Sequence, residues 1–221
     1  MGTPARNGGH VRPGARKLSP LGVSRAGARV ARRDGVDGVT MRSVAAAVGV
    51  TPMALYRCFD SADAVRSAAV SAALERVPNP PTEGPVAARL SVWAHTTRRR
   101  LRATPGLAAA CLTDWPELRE GCRIIEGLLA VAAVHTENPR EQVAIANAVF
   151  VYAVTRAMAE RAVLARGRER TLPAVDAEPR RFPLLSKVQN QFRTIDTDRH
   201  FTIGLDALLV GLLGPKAEGA R

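Results

Sequence analysis

The sequence predicts an all-α protein made of two helical units, and three observations carry that prediction. Apolar residues recur at helical spacing along most of the chain, and no stretch of note alternates with the strand period. Glycine and proline cluster between these periodic runs rather than punctuating short β-rich segments. One run, residues 143–158, is apolar nearly all round, so it must be covered on every side.

Residues 1–17 are rich in Gly, Pro and Arg and are expected to be a disordered basic arm. Such an arm is either a plain flexible tail or a segment that follows phosphates. Ser19 then caps a helix whose first position is Pro20, where a missing N–H costs nothing. That helix reaches about residue 33, with Leu21, Val23, Ala26 and Val30 inward and Arg25, Arg29, Arg32 and Arg33 outward or flanking. Asp34-Gly35 and Asp37-Gly38 are linking turns.

Residues 39–59, VTMRSVAAAVGVTPMALYRCF, read as two short helices joined by a tight turn. Thr40 is an N-cap residue. Met41, Val44, Ala45 and Val48 form one stripe, and Gly49 ends it, because glycine takes the left-handed cap conformation without strain. Thr51 is expected to cap a second helix over residues 51–57, with Pro52 at its first position. Leu55 and Phe59 point to the core, which leaves Thr51, Pro52, Met53, Tyr56 and Arg57 nearer solvent. Helix, glycine turn, helix is the helix-turn-helix pattern, whose second helix enters a DNA major groove. An ordinary αα-hairpin inside a helical core has the same spacing. The hydroxyl, phenol and guanidinium on the outer face, all suited to phosphate or base contact, favour DNA.

Ser61 caps a fourth helix over residues 62–77, and Pro78-Asn79-Pro80-Pro81 breaks the chain, since consecutive prolines cannot continue a helix. The expected division is therefore 1–17 arm, 18–77 head and 82–214 helical body. In the body, helices are expected over 86–103, from 107 through Leu112, from Trp115-Pro116 to about 135, over 140–166, over 182–192 and over 196–213, with 167–182 a mobile loop. The arginines at 98, 99, 100 and 102 read as a solvated, basic helix end, favoured there by the helix dipole, with a second nucleic-acid patch as the other reading. The apolar surplus on the 140–166 and 196–213 helices exceeds what one chain can cover and points to a second subunit.

Once these residues are in place, the segment of about 60 residues from Leu18 to Val77 resembles the DNA-binding domain of the TetR (tetracycline-repressor) family. Gly35 with Thr40, Ala45 with Gly49-Val50, and Leu55-Tyr56 with Phe59 carry the likeness. The run from Phe201 to Leu212 is similar to the closing helix of the family's sensing domain. Two positions depart from the pattern: Cys58 stands where His or Tyr is usual, and Ala62 where Lys is usual. The resemblance implies a homodimer on a palindromic double-stranded DNA operator, with Arg25, Thr40, Arg42, Ser43, Tyr56 and Arg57 near phosphates. Thr51, Pro52, Met53 and Ala54 would meet base edges. Pro52 and Met53 carry no side-chain hydrogen-bond donor, so readout there would be apolar, as with a thymine methyl. It also implies a small-molecule effector held in the body.

Composition agrees. The chain carries a net charge of +12, and its first 77 residues hold 12 Lys and Arg against 5 Asp and Glu, net +7. Such a balance attracts polyanions. Cys58, Cys111 and Cys122 have no metal-ligand spacing, and an odd scattered set fits a reducing compartment. No secretory signal pattern and no apolar run long enough for a membrane span are read, so a cytoplasmic protein without membrane contact is expected. His10, His95, His135 and His200 are isolated, no metal or cofactor is expected, and no catalytic cluster is visible. Pockets between helices are mostly apolar with a few polar groups. Candidates to line one are Trp93, Thr97, Leu107, Cys111, Trp115, Ile125, Leu128, Asn147, Phe150, Val151 and Tyr152. Asn147 and Tyr152 are singled out because a polar group on a buried helix needs a partner. The competing reading is a helical small-molecule-binding or enzymatic protein without specific DNA binding.

Overall fold

The computed structural model describes residues 18–165, 172–193 and 197–214. The expected arm, 1–17, lies outside the described residues. Among those described every regular element is helical.

The head begins with α1 (Pro20–Asp34), whose first turn is capped by Ser19 Oγ accepting from Gly22 N at 3.1 Å. A 3-10 turn (Val36–Gly38) leads to α2 (Met41–Val48), then α3 (Pro52–Leu55) and α4 (Ala62–Leu74). Val23, Ala26, Val30, Val44, Ala45, Leu55, Val65 and Ala69 are buried together and form the head's core. α1 and α4 cross closely. A Cβ on Gly27 would lie 2.6 Å from the Ala69 Cβ, so only glycine admits that approach.

The body comprises α5 (Val86–Arg102), α6 (Leu107–Asp114), a 3-10 turn (Trp115–Glu117), α7 (Arg119–His135), α8 (Pro139–Ala165), α9 (Pro173–Ala177), α10 (Pro183–Arg193) and α11 (Thr197–Leu213). α8 packs against α5, α6, α7 and α11. Trp93, Leu101, Ile124, Leu128, Phe150, Phe201 and Leu205 fill the space between them. The Trp93 indole donates to Pro78 O at 3.1 Å, so the proline break between the units is tied to the body core.

Three expectations change. α4 stops at Leu74 rather than 77, because its last turn tightens into 3-10 bonds such as Val77 N to Leu74 O at 2.9 Å. Residues 173–177 form a helical turn, with Val175 buried, where a mobile loop was expected. The stretch Pro139–Arg161 within α8 is long and apolar enough to span a membrane, with mean hydropathy 1.3 over an 18-residue window. Thr and Tyr dilute the apolar run without breaking it, and the helix lies among four others.

α4 of the head packs against α6 and α7 of the body, and two sets of hydrogen bonds add to that seam. Val36 N donates to Pro105 O at 2.9 Å. Arg123 of α7 reaches the end of α4, donating to Val77 O at 2.7 Å and Leu74 O at 3.3 Å, with Asn79 Oδ1 as a further acceptor. The carbonyls at a helix end lack the usual helical partners, Leu74 O keeping only the tight bond from Val77 N, and a guanidinium is well matched to that negative end.

Candidate nucleic-acid interface and ligand-binding body

The interface candidate is built by α2, the turn at Gly49 and α3. Thr40 and Ser43 form a reciprocal cap: Ser43 N donates to Thr40 Oγ1 at 3.1 Å, and Thr40 N donates to Ser43 Oγ at 2.9 Å. Ser43 Oγ in turn lies 2.7 Å from Gly38 O. Both hydroxyls therefore brace the start of α2, and Ser43 is half-buried. Gly49 adopts φ 74° and ψ 36°, the left-handed conformation required to turn the chain.

Thr51 occupies the cap position of α3, yet its side chain makes no capping bond, contrary to expectation. α3 is also shorter than the expected 51–57. It closes at Leu55, and the chain continues in a turn held by Cys58 N to Leu55 O at 2.8 Å and Phe59 N to Leu55 O at 3.0 Å. Leu55 is fully buried and pins this turn to the core. Met53 is 75% exposed and Tyr56 51% exposed. Thr51, Pro52, Arg42 and Arg57 are exposed and Ala54 is partly so. Arg25 projects from α1 beside Ala47, Val48 and Val50, near the end of α2. Ala62 opens α4. Sequence reasoning passed over Arg66, one turn further on and therefore on the same face, which pairs with Asp63 at 3.1 Å.

In the body, Trp93, Leu107, Cys111, Leu128 and Phe150 lie within the packed core, and Trp115, Ile125, Val151 and Tyr152 pack partly buried against it. Trp115 meets Phe150 edge-on, with centroids 6.2 Å apart. Thr97 is buried and its Oγ1 finds no hydrogen-bond partner. Burial pushes the Cys111 thiol up to about 12, so it stays protonated at neutral pH. Tyr152 donates to Phe201 O at 3.0 Å, and burial raises its phenol pKa. Asn147 departs from the expected arrangement. It is exposed, because α8 has no single apolar face and this position turns away from α5, α6, α7 and α11.

Arg98 overturns a second expectation. It is buried rather than solvated, and its guanidinium grips Glu160 of α8 at 2.7 Å and Asp198 at the start of α11 at 2.6 Å. Glu160 also faces Arg102 at 3.4 Å and Arg156 at 3.7 Å. Arg98 stacks over the Phe201 ring, 4.5 Å from its centroid, and His95 meets the same ring edge-on. Burial works against the Arg98 charge, but the hydrogen bonds it donates to Glu160 and Asp198 outweigh it and hold its pKa above the ordinary value. The hydrogen bond from Arg98 holds the Asp198 carboxyl below its ordinary pKa. A local signal existed, since Arg98 is in phase with Leu90, Ala94 and Leu101.

Residues 77–214 match the profile described as tetracyclin repressor-like, C-terminal domain. The chain belongs to the TetR family. Residues 24–69 match a second profile, bacterial regulatory proteins, tetR family. It is thus a TetR-family transcriptional regulator, with a DNA-binding helix-turn-helix head and a ligand-binding helical body.

Solved TetR-family structures share its fold. ActR of Streptomyces coelicolor in complex with actinorhodin superposes with a TM-score of 0.74 at 20% identity, covering 93% of this chain and 100% of that one. BioQ with its natural double-stranded DNA operator gives 0.65 at 18% identity, covering 90% and 100%. A TetR variant from Acinetobacter baumannii AYE in complex with minocycline gives 0.67 at 22% identity, covering 88% and 96%. Comparison with curated proteins finds no match.

Proposed function

We propose that this TetR-family regulator is a homodimeric, ligand-responsive repressor that binds a near-palindromic operator with one head per half-site. The observation that carries the reading is the exposure of Thr51, Pro52, Met53, Tyr56 and Arg57 around a buried Leu55, which presents a contact face on a rigid seat. Arg25, Arg42 and Arg57 are placed to hold phosphates, and Tyr56 adds a hydroxyl. Pro52, Met53 and Ala54 offer apolar contact to thymine methyls. Thr40 and Ser43 act mainly by bracing α2.

Self-association is supported by apolar surface on α8 and α11. Val143, Met158, Ile203 and Val210 are exposed, with Val210 at 73%. Two paired α8–α11 surfaces would cover what one chain leaves open. For the effector site the supporting features are Thr97, whose buried hydroxyl lacks a partner, Trp93 one turn earlier on α5, and the edge-on pair Trp115 and Phe150. Aromatic walls of this kind suit a ring-bearing, largely apolar guest that accepts or donates one hydrogen bond. A guest that favours one head spacing over another shifts DNA affinity by population. The cytoplasm is the compartment that fits a DNA-binding protein.

Mobility shift on the DNA upstream of the protein's own reading frame, at two salt concentrations, tests the DNA arm. Tight binding that weakens steeply with salt is expected. Sedimentation tests the dimer: wild type should run as a dimer and the Ile203→Asp/Val210→Asp protein as a monomer. The chain has two tryptophans, Trp93 and Trp115, and both lie in the candidate wall. Intrinsic fluorescence therefore reports effector binding without a label. A ligand that releases DNA while leaving that fluorescence unchanged would place the effector elsewhere.

A further inference from the structure

The seam between head and body holds a cleft of about 700 Å³, and of its lining residues the DNA-binding reading uses Arg25 alone. Three parts of the chain supply its arginines. α1 contributes Arg25, Arg29, Arg32 and Arg33; the segment after α4 contributes Arg76; the end of α5 contributes Arg100. Glu75 is the single carboxylate in the lining. Arg33 is neutralised by Asp34 through bonds of 2.8 and 2.7 Å. No ion pair within the described residues engages Arg25, Arg29, Arg32, Arg76 or Arg100. Beneath them lies an apolar floor of Ala28, Ala72, Ala73, Ala103 and Leu107.

Guanidiniums of one sign held around one concavity repel each other, and salt screens them only beyond about 8 Å. An anion entering the cleft relieves that repulsion and meets planar donors suited to two-point binding of phosphate or carboxylate. The volume falls within the range of about 300–1,000 Å³ usual for small-molecule sites. The apolar floor gives the uncharged part of a guest a surface to rest on.

We propose that this cleft binds a small polyanion carrying two or more phosphate or carboxylate groups, and that it is a second ligand site distinct from the body pocket. The ligand bridges α1 of the head and α5 of the body, so it braces one unit against the other. The assignment stands whether or not the regulator proves to be a repressor.

The test uses the full-length protein with inorganic triphosphate as probe and citrate in a parallel arm, at matched ionic strength. Calorimetry and thermal melting are read together. Triphosphate should bind saturably at one site per chain and raise the melting temperature. A stronger response to triphosphate assigns a phosphate guest, and a stronger response to citrate a carboxylate one. Arg76→Glu/Arg100→Glu should weaken binding by at least about tenfold, the loss expected when charge-assisted contacts are reversed. Arg57→Ala, on the DNA face, should bind the probe as wild type does. The charge-neutral Arg32→Gln/Arg100→Gln protein gives the same readout should the double Glu variant fail to fold. Absence of saturable binding overturns the proposal. So does retention in the seam variants with loss in Arg57→Ala. A third overturning result is loss of DNA affinity in the seam variants together with one-for-one displacement of DNA by triphosphate, which would make the cleft part of the DNA track.

Discussion

Replacing Glu160 by Met removes the shared anion of the body while keeping its volume. Glu160 and Arg98 are 2% and 5% exposed, so neither is rescued by water when the partner goes. Arg98 would keep only Asp198, whose carboxyl is 75% exposed and well screened. Arg102 and Arg156 would lose the same acceptor. Breaking a buried pair from one side costs about 3–5 kcal/mol. In a chain of this size each kcal/mol lowers the melting temperature by about 2–4 °C, so a fall of about 6–20 °C is expected. Urea and thermal unfolding at one fixed protein concentration measure it, because self-association raises apparent stability. The Arg98→Met/Glu160→Met protein should recover much of the loss, since apolar replacements of similar size leave no stranded charge. A Glu160→Met protein that melts within about 2 °C of wild type, less than about 1 kcal/mol, would refute the reasoning. A double variant whose loss equals the sum of the single losses would refute the coupling.

Four further outcomes are expected. Arg57→Ala should weaken binding to all DNA sequences about equally and reduce the salt slope by about 1, whereas Met53→Ala should alter preference among sequences; quantitative mobility shifts on an operator and on scrambled DNA separate the two. Gly27→Ala should cost about 1–3 kcal/mol, because its new methyl meets Ala69, and Ala69→Gly should restore it. Gly49→Ala has open space and should lose only the left-handed backbone term, about 1–2 kcal/mol, with no second-site rescue at Ala69. Burial, then the Arg98 charge, lowers the His95 pKa below its ordinary 6.5, so the unfolded chain takes up this proton first as pH falls. Stability should therefore drop as pH falls from about 6.5 toward the folded value and be flat well above 6.5, and His95→Phe should abolish that slope.

The elements with local signals were legible. Ser19, Thr40, Gly49 and Pro52 mark boundaries through their own backbone chemistry, and each stands where its chemistry requires. The length of α3 was not legible, because its end depends on how Leu55 seats in the head rather than on a stop residue. Arg98 was misread because three arginines in a row look like a solvated face, while its partner Glu160 lies 62 residues away. Asn147 was misread for a different reason. α8 is apolar all round, so it carries no phase from which an inward side can be assigned. The proposed contact face was visible as a set of exposed residue types, but the duty of Thr40 and Ser43 as a mutual brace needed the coordinates.

The grip of Arg123 on the last carbonyls of α4 has a mechanical corollary. With that end clamped to α7, a pivot near Leu74 would carry the rest of α4, and the head packed on it, together with the DNA-facing turn next to Ala62. Thirteen residues make an arm of about 20 Å. A tilt of about 10° at the fulcrum then sweeps the tip by about 3.5 Å, comparable with the rise of one base pair. On the proposed function, a modest rearrangement in the body would then be magnified where register with the double helix is decided.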